Sequence, residues 1–203
     1  QCFIPKLQDH LLTRLLNRPF DGDDHAFTHE ERQSVLILND TIYEHKEMHV
    51  NFTTYDIRRD QDYLNATTHR DVLMNSCEIA PGSHPYWYAR IIGMFHADVL
   101  RIGDGVTDHS THCMEFLWVR WFGVDPGYRY GSRVARRLPK IGFVPMADEM
   151  AFGFLDPSLI VRGCHLIQAF ADGRTAELLP VRSVARKPDE PQDDDWESYY
   201  VGM

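Results

Sequence analysis

The chain has 203 residues, 43% of them hydrophobic and 25% charged, the balance of an ordinary soluble domain long enough to bury one substantial core. Its 21 basic and 30 acidic side chains leave a net charge of -9, which argues against indiscriminate nucleic-acid binding over the whole surface. The four cysteines, Cys2, Cys77, Cys113 and Cys164, are widely spaced, so neither a disulfide scaffold nor a zinc ribbon is encoded and a reducing, intracellular setting fits.

No apolar run approaches the roughly 20 residues of a membrane-spanning helix, so no membrane partner is expected. No charged-then-apolar leader opens the chain, and without one the acceptor triplets at Asn51 and Asn65 read as chance matches. The start at Gln1 and the stop just after the aromatic run 196–203 predict a piece of a longer protein.

In chain order, residues 5–17 carry Leu7, Leu11, Leu12, Leu15 and Leu16 at helical spacing, which predicts a short amphipathic helix. Thr28 and Glu31 make a capping-box pattern opening a second helix, with Val35, Leu36, Leu38 and Ile42 as its buried face. After Tyr43 the texture changes. HVNFTTYDIRR alternates and reads as a strand, RDQDYLNATTHRD as a polar loop, and VLMNS as a short strand. Two long aromatic runs follow, 84–100 and 113–128, which hold all but one of the tryptophans. A basic loop, two short apolar pieces and a last strand through Ile160–Leu166 complete the pattern. Asp189 to Glu197 holds six acidic residues in nine, the composition of a disordered linker. The expected division is a helical segment over 1–44, a β domain over 45–187 and an acidic tail over 188–203. The expected fold is α+β and mainly β, a small partly open barrel of short antiparallel strands preceded by two short N-terminal helices.

Side chains alternate along a strand, so each aromatic run divides by parity. Trp87, Ala89, Ile91 and Phe95 form an uncharged face in the first run, and Leu117, Val119 and Trp121 in the second. These faces are assigned to the core. The opposite faces carry Tyr86, Tyr88, Arg90, Ile92 and Met94, and Phe116, Trp118, Arg120 and Phe122. If these mixed faces meet, Tyr86, Tyr88 and Trp118, flanked by Arg90 and Arg120, line a groove. Such a wall suits a cationic side chain, held by the ring quadrupoles as in methyl-lysine cages, or an unpaired base. The alternative is that the mixed face packs beneath the N-terminal helices.

Between Pro126 and Ala147 stand five basic residues, Arg129, Arg133, Arg136, Arg137 and Lys140, and no acidic one. Interleaved with Tyr128 and Tyr130, they suit phosphate contact with stacking, or pairing with acids elsewhere in the chain.

Other chemistry is weakly signalled. His109, His112 and Cys113 have ligand types, but the second pair that a structural zinc site needs is missing. Cys164 and His165 are adjacent and point to opposite faces of a strand, so they do not pair as nucleophile and base. Asp56, Asp60 and Asp62 among arginines could hold a divalent ion for phosphoryl chemistry, though such alternation more often marks an ion-paired turn. No nucleophile-elbow, phosphate-loop or metalloprotease motif is present. Neither an enzyme nor a cofactor is expected.

Four motifs in order carry a resemblance: Asp71-Val72, Tyr88-Ala89-Arg90-Ile91, Val119-Arg120-Trp121-Phe122, and Ile160 to Leu166 with Gly163-Cys164. Together, over roughly 68–170, they resemble the bromo-adjacent homology (BAH) domain. Gly123-Val124-Asp125-Pro126 departs from the Arg-Pro that usually follows the Trp-Phe of that family. The longer pattern is similar to the C-terminal region of proteins encoded by fungal, basidiomycete DNA transposons of the Plavaka kind, in which a catalytic core is expected upstream. The resemblance implies a BAH-like barrel in a non-catalytic nuclear module that binds chromatin, either a histone tail at the aromatic wall or DNA at the basic loop. The alternative is a structural domain docking on its parent protein.

Overall fold

The computed structural model describes residues 3–20, 25–78, 83–103, 105–131, 137–175 and 195–202. The fold is mainly β. In chain order its elements are α1 (Phe3–Leu15), α2 (His29–Gln33), β1 (Val35–Ile37), β2 (Tyr43–His45), β3 (Met48–Thr53), β4 (Arg59–Leu64), β5 (Asp71–Asn75), β6 (Tyr86–Arg101) and β7 (His112–Val124), followed by β8 (Lys140–Phe143), β9 (Phe152–Leu155), β10 (Ile160–Gly163), β11 (His165–Gln168), β12 (Arg174–Thr175), β13 (Asp195–Trp196) and β14 (Ser198–Gly202).

The leucines of α1 bury one stripe, with Leu7, Leu11 and Leu12 packed on Ala97, Val99, Phe116 and Phe154. Full burial of each such side chain contributes about 1.5–3 kcal/mol. The helix stops where Asn17 turns left-handed at φ 50°. Its amide bonds back to Arg14 and that of Arg18 to Thr13, the paired closure that satisfies the last carbonyls of a helix.

Thr28 caps α2 as its spacing predicts, and Glu31 returns the bond to the Thr28 amide. The helix is shorter than expected. Ser34 bonds back to Glu31, and Val35–Ile37 leave helical geometry to pair with Arg101, Leu100 and Val99 of β6. An open strand edge and β-branched side chains favour the ladder over one more helical turn. The expected boundary after residue 44 therefore falls inside β2, which also pairs with β6.

The main sheet runs β10-β5-β6-β7-β8-β14-β11, with β1 and β2 on the far half of β6 and β9 on β7. The ladder is an open path, not a closed barrel, and its two ends, β10 and β11, are joined through Cys164 alone. The expected single last strand is thus two segments serving opposite ends of the sheet. β3 and β4 form a separate ribbon paired over their full lengths. The segment read as a polar loop is half of that ribbon. Its polar side chains pair across it, as Gln61 does with Asn51 at 2.9 Å, so no apolar alternation was there to be seen.

The register of β6 against β7 shifts between Ile91 and Gly93. A bulge inserts one residue and exchanges the faces beyond it. Met94, instead of Phe95, continues the face of Ala89 and Ile91, while Phe95 joins Ala97 and Val99 against α1. Glycine at the bulge leaves room for the Phe95 ring, which a Cβ on Gly93 would approach to 2.5 Å and displace.

Residues 195–202, expected within an acidic tail, belong to the sheet. β14 lies between β8 and β11, and Tyr199 and Val201 fill a core with Leu73, Tyr88, Phe122 and Ile141. The alternation of Ser198–Gly202 outweighs the charge run preceding it. The earlier part of that tail lies outside the described residues.

Candidate functional site: a tyrosine pocket

β6 enters the sheet at Tyr86 and β7 leaves it at Val124, so the connections before β6 and after β7 meet at the same end. Between them lies a pocket of about 490 Å³ whose lining includes His84, Tyr86, Tyr88, Tyr128 and Tyr130. Glu78 and Asp125 bring carboxylates to its rim, and Trp87 and Phe122 extend its aromatic surface.

His84 organises this wall. Its Nε2 lies 2.7 Å from the Tyr88 hydroxyl, and its Nδ1 lies 2.9 Å from the Tyr130 hydroxyl. The imidazole also meets the Tyr130 ring edge-on at 5.2 Å between centroids. Burial pushes the imidazole below the ordinary histidine range, while Glu78 pulls the other way. Burial likewise pushes the Tyr88 phenol well up, helped by Cys164, Tyr130 and Tyr86. His84 and Tyr88 are therefore uncharged at pH 7, and the pocket presents aromatic faces and two carboxylates to a cation.

The expected aromatic wall is formed in part and with different members. Tyr86 and Tyr88 line the pocket, but Trp118 does not. Gly93 opposes Trp118 and Tyr88 opposes Phe122 in the ladder, which sets Trp118 well up the strand. Its ring packs on Phe3 of α1, Phe152 and Phe154 at 5.1, 5.8 and 4.7 Å. That is the packing alternative, realised at this end of the mixed face.

Arg90 and Arg120 do not flank an open groove. Both are buried, at 3% and 0% exposure. Arg90 holds Asp71 through Nε at 2.7 Å and Nη2 at 3.1 Å, and Asp195 through Nη1 at 2.8 Å. Its guanidinium lies over Phe122, Phe143 and Tyr199. Arg120 donates to the carbonyls of Ala151 and Val144 between the rings of Phe143 and Phe152. These arginines tie β6, β7 and β14 together, because a buried cation is tolerable only where acceptors surround it.

The basic loop divides. Lys140 is ion-paired with Asp172 at 2.8 Å and Asp125 at 3.4 Å, so it is not free for phosphate. Arg129 and Arg137 are exposed, and Arg137 lies 5.8 Å from the Tyr128 ring centroid. Arg133 and Arg136 lie outside the described residues. Tyr128 and Tyr130, assigned to this loop as stacking residues, turn into the pocket instead.

Among the described residues no three metal-ligating side chains gather. His112 opens β7 beside Asp108 at 3.3 Å. Asp56 pairs with Arg58, while Asp62 accepts from the Gly163 amide, so Asp56, Asp60 and Asp62 share no centre. Cys164 is half-buried, its thiol pushed up by burial and by Asp71, while His165 is exposed. No helix among the described residues is long and apolar enough to cross a membrane.

His84, Tyr128, Tyr130, Glu78 and Asp125 are the pocket residues that sequence reasoning missed or assigned elsewhere. One signal was available: His84 stands two residues before Tyr86 and four before Tyr88, so extending the parity count upstream places all three on one face.

No protein-family model matches the chain, and it matches no curated protein and no solved structure.

Proposed function

We propose that this chain is a non-catalytic recognition module that takes a methylated ammonium group, of the kind a modified histone-tail lysine presents, into the tyrosine pocket. One observation carries the reading: four tyrosines and a neutral histidine line a single pocket with two carboxylates at its rim. Aromatic faces attract a cation by about 0.5–2 kcal/mol per favourable ring, more as water is excluded. The order of the four motifs, similar to that of BAH domains, supports a BAH-like module in a nuclear, chromatin-bound protein. The longer similarity supports a transposon-derived parent. Arg129 and Arg137, exposed beside the pocket, would meet the acidic DNA that surrounds a histone tail.

The test is a titration of the protein with Nα-acetyl-trimethyl-lysine amide and its unmethylated counterpart. Preference for the methylated form, lost in Tyr86→Ala and Tyr130→Ala, supports the reading. Equal affinity for the two forms in the unaltered protein would refute it.

A second reading is a structural domain that docks on its parent protein. The burial of Tyr88, Arg90 and Arg120 favours it, since most of the mixed face serves the core. It predicts that pocket substitutions leave all cation binding unchanged.

A further inference from the structure

The pocket joins the start of β6 to the connection after β7, and among the described residues no ladder pairs that connection with β6 beyond Tyr88 and Phe122. Tyr86 and Tyr88 belong to β6, whereas Tyr128 and Tyr130 belong to the connection after β7. Within that connection, Tyr128 N bonds to Asp125 O at 3.2 Å and Gly131 N to Arg137 O at 3.2 Å. Among the described residues, the hydrogen bonds that hold Tyr130 against β6 run through His84, which is bonded to one tyrosine through each ring nitrogen. We propose that His84 is the clasp that fixes the Tyr130 side of the pocket onto Tyr88, and that it admits a cation only while its imidazole is uncharged. The second half of this inference rests on the cation-binding reading above.

A neutral imidazole has one donor and one acceptor nitrogen, which suits two hydroxyls that each donate or accept. The clasp therefore costs no charge in the wall, and the tyrosine faces keep their negative potential. Protonation leaves both nitrogens as donors and puts a full positive charge on the pocket lining. A quaternary ammonium ion is then repelled by the group that shaped its site. The groups facing His84 are Glu78 before β6, Tyr86 and Tyr88 on β6, and Asp125, Tyr128 and Tyr130 after β7. Of the two acids, Asp125 is partly committed to Lys140 at 3.4 Å, which leaves Glu78 as the principal counter-charge. Burial, holding the imidazole below the usual histidine range against Glu78, keeps it uncharged at neutral pH.

The sign follows. A lowered pKa means that His84 is neutral at pH 7 and takes up its proton only as pH falls below the ordinary value near 6.5. Affinity for a cation whose own charge does not titrate is full at neutral pH and falls with acidification.

Two measurements test this. Without ligand, amide hydrogen exchange at Tyr128 and Gly131 is compared between the protein and His84→Ala. The clasp predicts faster exchange at both in the variant, and unchanged exchange overturns it. With tetramethylammonium as probe, affinity is measured from about pH 7.5 to about pH 5 in the protein and in His84→Gln, which keeps a donor and an acceptor but cannot take up a proton. The expected result is a loss of at least about threefold in the protein and a flat profile in the variant. The same slope in both, or none in the protein, overturns the proton linkage and leaves the cation-binding reading standing. Absence of binding at any pH overturns both together.

Discussion

The Tyr130 hydroxyl lies 2.9 Å from Nδ1 of His84, across 46 positions of sequence. This contact brings a loop that reads as a nucleic-acid element onto a strand that reads as an aromatic wall. Each segment alone offered a different partner. Joined, they make one concave, electron-rich surface, and the loop contributes its tyrosines to it while Lys140 turns to Asp172 and Asp125.

Tyr130→Phe keeps the ring and removes only the hydroxyl. The expected outcome is a few-fold loss of tetramethylammonium affinity with faster amide exchange at Gly131. Tyr130→Ala, which also removes the ring face, loses about tenfold or more. Calorimetric titration of the two variants separates the clasp from the ring.

Arg90 is the hub of the core beneath the pocket. Removing one partner from a buried pair leaves the other uncompensated, at a cost of about 3–5 kcal/mol. Arg90→Met, which strands Asp71, is expected to show a loss of that order in urea unfolding, and Asp195→Ala, which leaves Arg90 its two bonds to Asp71, a smaller one. The double variant should be less destabilised than the sum of the two, since Asp195→Ala breaks no further Arg90 bond once Arg90 is gone. Additive losses would show that the two side chains act separately.

His10 adds a pH dependence of stability. Burial pushes its pKa down to about 3, reinforced by Arg14 and opposed by Asp156. The folded value lies below the unfolded one, so the neutral form contributes its full stability above about pH 6.5. That stability is lost as pH falls from about 6.5 toward 3, by up to about 1.4 kcal/mol per pH unit. Melting temperatures across this window should fall less steeply in His10→Gln than in the unaltered protein.

Trp118 stabilises the packing of α1 on the sheet through Phe3, Phe152 and Phe154. Trp118→Ala is expected to cost about 3 kcal/mol in urea unfolding and to leave tetramethylammonium affinity within about twofold, a margin below the contribution of one ring. A selective loss of affinity with stability preserved would return Trp118 to the binding site.

Much of the fold was legible because local patterns were strong. The leucine spacing of α1, the capping box at Thr28 and the aromatic periodicity of β6 and β7 each had one structural solution. Failures arose where a long-range partner decided the outcome. Val35 satisfies a helical pattern as well as a strand pattern, and the open edge of β6 settles it. One inserted residue near Gly93 exchanges the faces of β6, and nothing short of the partner strand reveals a bulge. Arg90 looks exposed beside tyrosines until Asp195, 105 positions away, is brought to it. The pocket was half legible for the same reason: Tyr86 and Tyr88 follow from parity, but only the tertiary approach of the β7–β8 connection adds Tyr128 and Tyr130.

The most direct measurement is a two-dimensional NMR titration of the protein with Nα-acetyl-trimethyl-lysine amide, read at backbone amides and aromatic side chains. The tyrosine pocket predicts saturable shifts confined to His84, Tyr86, Trp87, Tyr88, Tyr128 and Tyr130, with upfield movement of the ligand's methyl resonance as it enters the ring faces. Shifts centred on Trp118 and Phe152, or no saturable shifts at the pocket, would contradict it.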